Sequence, residues 1–124
     1  MEATGHFARH ADQAAAARAF VRRTLAGWGV GRVDDVVLIT SELFSNAVLH
    51  GRGEVEVTLS LSGGRVRLQV ADGGGVPVPS DVRRPTPDAV TGRGLAIVDA
   101  LAQRWGNGSD LAGRTCVWIE VPAR

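Results

Sequence analysis

The hydrophobic period of this chain changes at Gly53, from between three and four to two, and few folds accept that order. Before the change, Ala14, Ala17, Val21 and Leu25 recur at helical spacings, and Phe20 widens their stripe. They predict a helix over residues 11–28, stopped by Gly27, Gly29 and Gly31. Val36, Ile39, Leu43, Ala47 and Val48 predict a second helix over 34–50, with Asp34 or Asp35 as its N-cap and Gly51 and Gly53 closing it. After the change, Val55, Val57, Leu59 and Leu61 alternate with polar residues. Val66, Leu68 and Val70 repeat the pattern beyond a turn at Ser62, Gly63 and Gly64, which reads as an antiparallel hairpin with one wet face. A third helix is expected from Gly94 to Gln103. Trp105 opens a short strand expected to turn at Gly106, Asn107 and Gly108, and a last strand runs from Arg114 to Val121. This order predicts an α+β fold: a two-layer α/β sandwich, with a mixed, mainly antiparallel sheet and helices on one face.

With 124 residues, a single domain spanning 1–124 is expected. All 14 basic residues are arginines, yet they are scattered and the net charge is +1, which gives no strong field for nucleic acid. The longest strongly apolar run, Val36 to Ile39, is far short of the ~20 residues that span a bilayer. The N-terminus, MEATGHFARH, lacks the apolar stretch of a secretory signal, and its His6 and His10 fall in a segment expected to be frayed. Cys116 is the only cysteine, which rules out an internal disulfide and a zinc cluster and makes a reducing cytoplasm the default. Residues 73–91 carry Gly73, Gly74, Gly75 and four of the five prolines, so they are expected to form a long functional or disordered loop.

Three polar features interrupt the pattern. Strand parity puts Asp72 on the same inward face as Val66, Leu68 and Val70, where a carboxylate is costly unless hydrogen-bonded. A turn-initiating Asp before glycine is the simpler account. Glu42, Asn46 and His50 are four apart and share one face of the second helix. That face is either a solvated stripe or a site in which Asn offers a hard oxygen to a cation and Glu takes a proton. Gly92, Arg93 and Gly94 open the third helix, where glycines let backbone N–H groups approach an anion. Turns and caps produce the same pattern without any ligand.

The order of these features is more specific than any one of them. A helix carries Glu42 and Asn46, a hairpin ends in Asp72 and Gly74, and a proline-bearing loop runs to Thr91. Gly92 and Gly94 then open a helix, and a last strand carries Gly113 and Thr115. This resembles the GHKL (Bergerat-fold) ATP-binding domain over roughly residues 10–122. The stretch from Ser41 to Gly51, SELFSNAVLHG, is most similar to the anti-sigma-factor serine kinases of that superfamily.

The resemblance implies ATP and Mg2+ as ligands. It implies that Asn46 coordinates magnesium and that Glu42 is the general base toward an acceptor serine. Asp72 would accept from the adenine amino group, Gly74 would let the backbone approach the base, and Thr115 would complete the adenine site through water. Backbone amides around Gly92 and Gly94 would hold phosphates, and residues 75–91 would form the lid. Arg93 is either a guanidinium beside the phosphates or an exposed arginine at a helix start. Many members carry a further glycine where this chain has Val76. His50, Cys116, Trp28, Trp105 and Trp118 are expected to pack rather than react. The implied partners are a sigma factor and an anti-sigma-factor antagonist, with homodimers usual, no membrane and no direct nucleic acid. The competing expectation is a catalytically silent ATP-dependent anti-sigma or regulatory module.

Overall fold

A computed structural model describes residues 1–73, 92–109 and 114–124. Its elements run β1 (Glu2–Phe7), a 3-10 turn (Ala11–Gln13), α1 (Ala14–Gly27), α2 (Val33–His50), β2 (Val55–Ser62) and β3 (Arg65–Asp72). They continue with α3 (Gly92–Leu101), β4 (Arg104–Ser109) and β5 (Thr115–Pro122). The five strands form one sheet in the order β1-β2-β3-β5-β4, and every neighbouring pair is antiparallel. The fold is therefore the expected α+β arrangement, with an antiparallel sheet where a mixed one was allowed.

The β2–β3 hairpin closes on Gly63 and Gly64, both at positive φ (60° and 74°), a two-residue turn whose twist suits the strands. Its inward residues, Val55, Val57, Leu59, Val66 and Leu68, are fully buried. They face Ala17, Val21 and Leu25 of α1 and Val36, Ile39, Leu43 and Phe44 of α2. Phe44 is the largest fully buried side chain, and the apolar stripe read from the sequence omits it. Thr40 is buried on the same helix because its hydroxyl donates to the Val36 carbonyl oxygen at 2.7 Å.

Five expectations need correction. The N-terminus is not frayed: β1 pairs with β2 from Glu2↔Ser60 to Phe7↔Val55. Its inward positions, Ala3, Gly5 and Phe7, include two small residues, so its alternation is faint. Gly5 has a purpose there, since a Cβ would stand 2.9 Å from the Phe7 ring. Neither Asp34 nor Asp35 caps α2, whose N-cap is Arg32. Both lie in its first turn, where negative charge still suits the dipole, and Asp34 accepts from Arg22 at 2.9 Å. Gly106, Asn107 and Gly108 are not a turn but lie within β4. Gly106 is there because the Trp118 ring lies against it, 3.0 Å from where a Cβ would be. Finally, the first helix opens with the 3-10 turn, and α3 spans Gly92–Leu101 rather than Gly94 to Gln103.

Phe7 ties the edge strand to the helices, edge-on to Phe20 and Phe44 at centroid distances of 6.0 and 6.1 Å. Full burial of a Phe is worth about 3–5 kcal/mol against Ala, and Phe7 is half-buried. Phe7→Ala is expected to lower stability by about 2 kcal/mol in urea unfolding, with an unchanged slope unless β1 detaches.

Candidate functional site: the edge where α2 ends and α3 begins

α2 ends against the last residues of β3. β3 ends at Asp72, whose partner across the sheet is Thr115 at the start of β5, and Thr115 in turn faces Ser109 at the end of β4. Two residues join α3 to β4, and the second of them, Gln103, donates its N–H to the Glu120 carbonyl. α3 packs on α2 and lies against β4 where the Trp105 indole donates to Asp99 at 3.2 Å, and its first turn contains Gly92, Arg93 and Gly94. A helix start carries unpaired N–H donors and the positive end of a dipole. α2 ends beside Asp72 and packs on both β3 and α3.

The junction of α2 with β3 is tight. Gly51 N–H donates to the Ala47 carbonyl at 2.8 Å and closes the helix. A Cβ on Gly51 would stand 2.7 Å from the Asp72 carboxylate and 2.5 Å from the Ala47 oxygen. Gly73 N–H donates to the Arg52 carbonyl, and Gly53, at φ 67°, lies against Gly73. The segment Gly51 to Gly53 thus seats the end of β3 and holds Asp72 in place. The sequence offered Gly51 only as a helix stop; its contact across to Asp72 appears once the chain is folded. Gly51→Ala is expected to displace the carboxylate and weaken nucleotide binding about tenfold, the effect of a misplaced charge-assisted bond. Calorimetric titration with ATP measures it.

Asp72 is 8 % exposed, and its face is the inward one that strand parity predicts. Thr115 shares that face and is half-buried. Glu42 and Asn46 lie one turn apart on α2, both half-buried, whereas His50, which was expected to pack, is exposed at the last turn of the helix. The Asn46 amide nitrogen is buried with no hydrogen-bond partner among the described residues. An orphaned buried polar atom costs about 1–3 kcal/mol, so the position calls for a partner. Rotating the amide by half a turn puts its oxygen there instead, and that oxygen suits a hard cation. Asn46, the Asp72 seat and the start of α3 therefore fit a magnesium-bound nucleotide. Among the described residues, no three His, Cys, Asp or Glu side chains gather as a metal cluster.

Gly74, the loop 75–91 with Thr91, and Gly113 lie outside the described residues. Cys116 is buried and of opposite parity to Thr115, as its packing role requires. Trp118 stacks under Arg67, whose guanidinium carbon is 4.4 Å from the ring centroid. No described helix is long and apolar enough to cross a membrane.

Residues 7–120 match the family model of the histidine kinase-like ATPase domain. The chain belongs to that family and carries its GHKL-type ATP-binding domain. No curated protein matches the chain significantly.

Proposed function

We propose that this protein is an anti-sigma factor and serine kinase that phosphorylates an anti-sigma-factor antagonist with ATP. One observation carries the reading: Asn46, with a buried amide nitrogen that lacks a partner among the described residues, lies on the helix whose end at Gly51 seats Asp72, and Glu42 lies one turn before it. In this reading Asp72 accepts from the amino group of adenine, with Thr115 beside it. The first turn of α3 receives the phosphates on its N–H groups. Asn46 would hold magnesium, which when bound neutralises phosphate charge.

Glu42 takes the proton of the acceptor serine. Phosphoryl transfer needs chiefly positioning and charge stabilisation, so one base and a fixed set of donors suffice. The natural partners are a sigma factor and its antagonist, with a homodimer as the working assembly. Serine specificity and both partners rest on the likeness of SELFSNAVLHG to the anti-sigma-factor kinases.

The test is incubation with radiolabelled ATP, magnesium and antagonist proteins from the same genome. Label on a serine of one antagonist is the expected result. Tight ATP binding with no transfer to any of them would overturn the kinase and leave an ATP-dependent binding module.

A further inference from the structure

Asn107 stands out among the residues the proposed site does not use. It is 6 % exposed, on the middle of β4, and its amide oxygen is buried with no hydrogen-bond partner among the described residues. Exchanging the ends of the amide would only bury an unpaired N–H instead. Its neighbours on that face are Trp105, Val117 and Ile119, with Thr115 on the remaining diagonal. An apolar residue would satisfy the strand better.

Its register places it close to the nucleotide edge. Asn107 pairs with Val117, and Thr115 is the next residue of β5 on the same face. Such diagonal neighbours lie about 7–8 Å apart. Side chains at such positions are within reach of one bridging water, with bonds of about 2.8 Å on either side, and that water would enter with the nucleotide, since the Asn107 oxygen is closed to solvent without it. Thr115 in turn pairs with Asp72. Asn107 thus lies one step behind the pair expected to meet the base, beneath the helix that lies against β4.

We propose that Asn107 is a positioning residue of the nucleotide site, holding a buried water that it shares with Thr115 and that reads the exocyclic amine of adenine. The water donates to the Asn107 oxygen, shares a bond with the Thr115 hydroxyl and accepts an N–H from the base. The inference rests on the adenine-binding role given to Asp72 and Thr115 above. It explains why a polar side chain is retained where packing alone favours an apolar one.

The test compares the intact protein with Asn107→Val. Each is titrated with ATP and with purine riboside triphosphate, which lacks the exocyclic amine, and each is melted without nucleotide. Asn107→Val is expected to bind ATP about tenfold more weakly and to bind the analogue as the parent does, within about twofold. Its melting temperature without nucleotide is expected to rise by about 4 °C, because an unpaired buried acceptor is removed. Unchanged ATP affinity overturns the proposal, and so does an equal loss for both nucleotides, which signals repacking. A fall in melting temperature also overturns it, by showing that Asn107 serves the fold. If Asn107→Val does not fold, Asn107→Ser is read in the same titrations, its hydroxyl being too short to hold the water. If the parent itself fails to bind ATP, the adenine-binding role of Asp72 and Thr115 falls first.

Discussion

Glu42→Ala is expected to leave ATP binding intact and to lower phosphoryl transfer to the antagonist roughly 10²–10⁴-fold, the usual range for loss of a general base. The separation of the two effects follows from position. Glu42 lies a full turn before Asn46 on α2, and about two and a half turns before the Gly51 seat of Asp72. Removing its carboxylate leaves that seat untouched. Glu42 is half-buried rather than enclosed, so a protein-borne serine can reach it from outside. Helix propensity does not confuse the result, because alanine is the better helix former. Single-turnover transfer and nucleotide titration, done on the same preparation, separate chemistry from binding. Unchanged turnover would remove Glu42 from the mechanism.

Asp72→Ala is expected to weaken ATP binding by about 1.5–3 kcal/mol, the value of a hydrogen bond to a charged group. That corresponds to roughly 10–150-fold in Kd. The carboxylate is 8 % exposed and pressed by Gly51, so it has little freedom to be replaced by water when it is removed. Asp72→Asn is the sharper variant. It keeps the shape that Gly51 accommodates, but its NH2 can meet the adenine amine donor to donor. ATP affinity should fall while the melting temperature without nucleotide changes little. Equal affinity of the unaltered protein for ATP and GTP would count against Asp72 as the reader of the base.

Much of the fold was legible in the sequence because it was written in periodicity. The helices around Val21 and Leu43, the hairpin through Gly63 and Gly64 and the inward parity of Asp72 and Thr115 all follow from spacing. The misreadings share one cause, that a residue's local pattern can be weak or can match another structure. Ala3 and Gly5 face the core but are too small to register as an apolar alternation, so β1 was not anticipated. Gly106, Asn107 and Gly108 have the composition of a turn, yet β4 runs straight through them because the Trp118 ring needs the space over Gly106. Phe44 escaped the stripe because a helix packed on both α1 and the sheet buries a wider arc than one apolar row.

What the sequence determined by itself was the list of parts: an acidic residue and an amide one turn apart on a helix, a carboxylate at the end of a strand, and glycines at the start of another helix. Neighbours in sequence constrain one another through covalent geometry, so spacing alone can establish such facts. Only the tertiary structure decided what each part packs against. The Trp105 indole on β4 donates to Asp99 and holds α3 against that strand. Gly51, read as a helix stop, became the seat of that carboxylate, and Asn107, read as part of a turn, became a buried acceptor behind Thr115. Such contacts join residues far apart in the chain, whose meeting depends on strand order and register that no local pattern encodes.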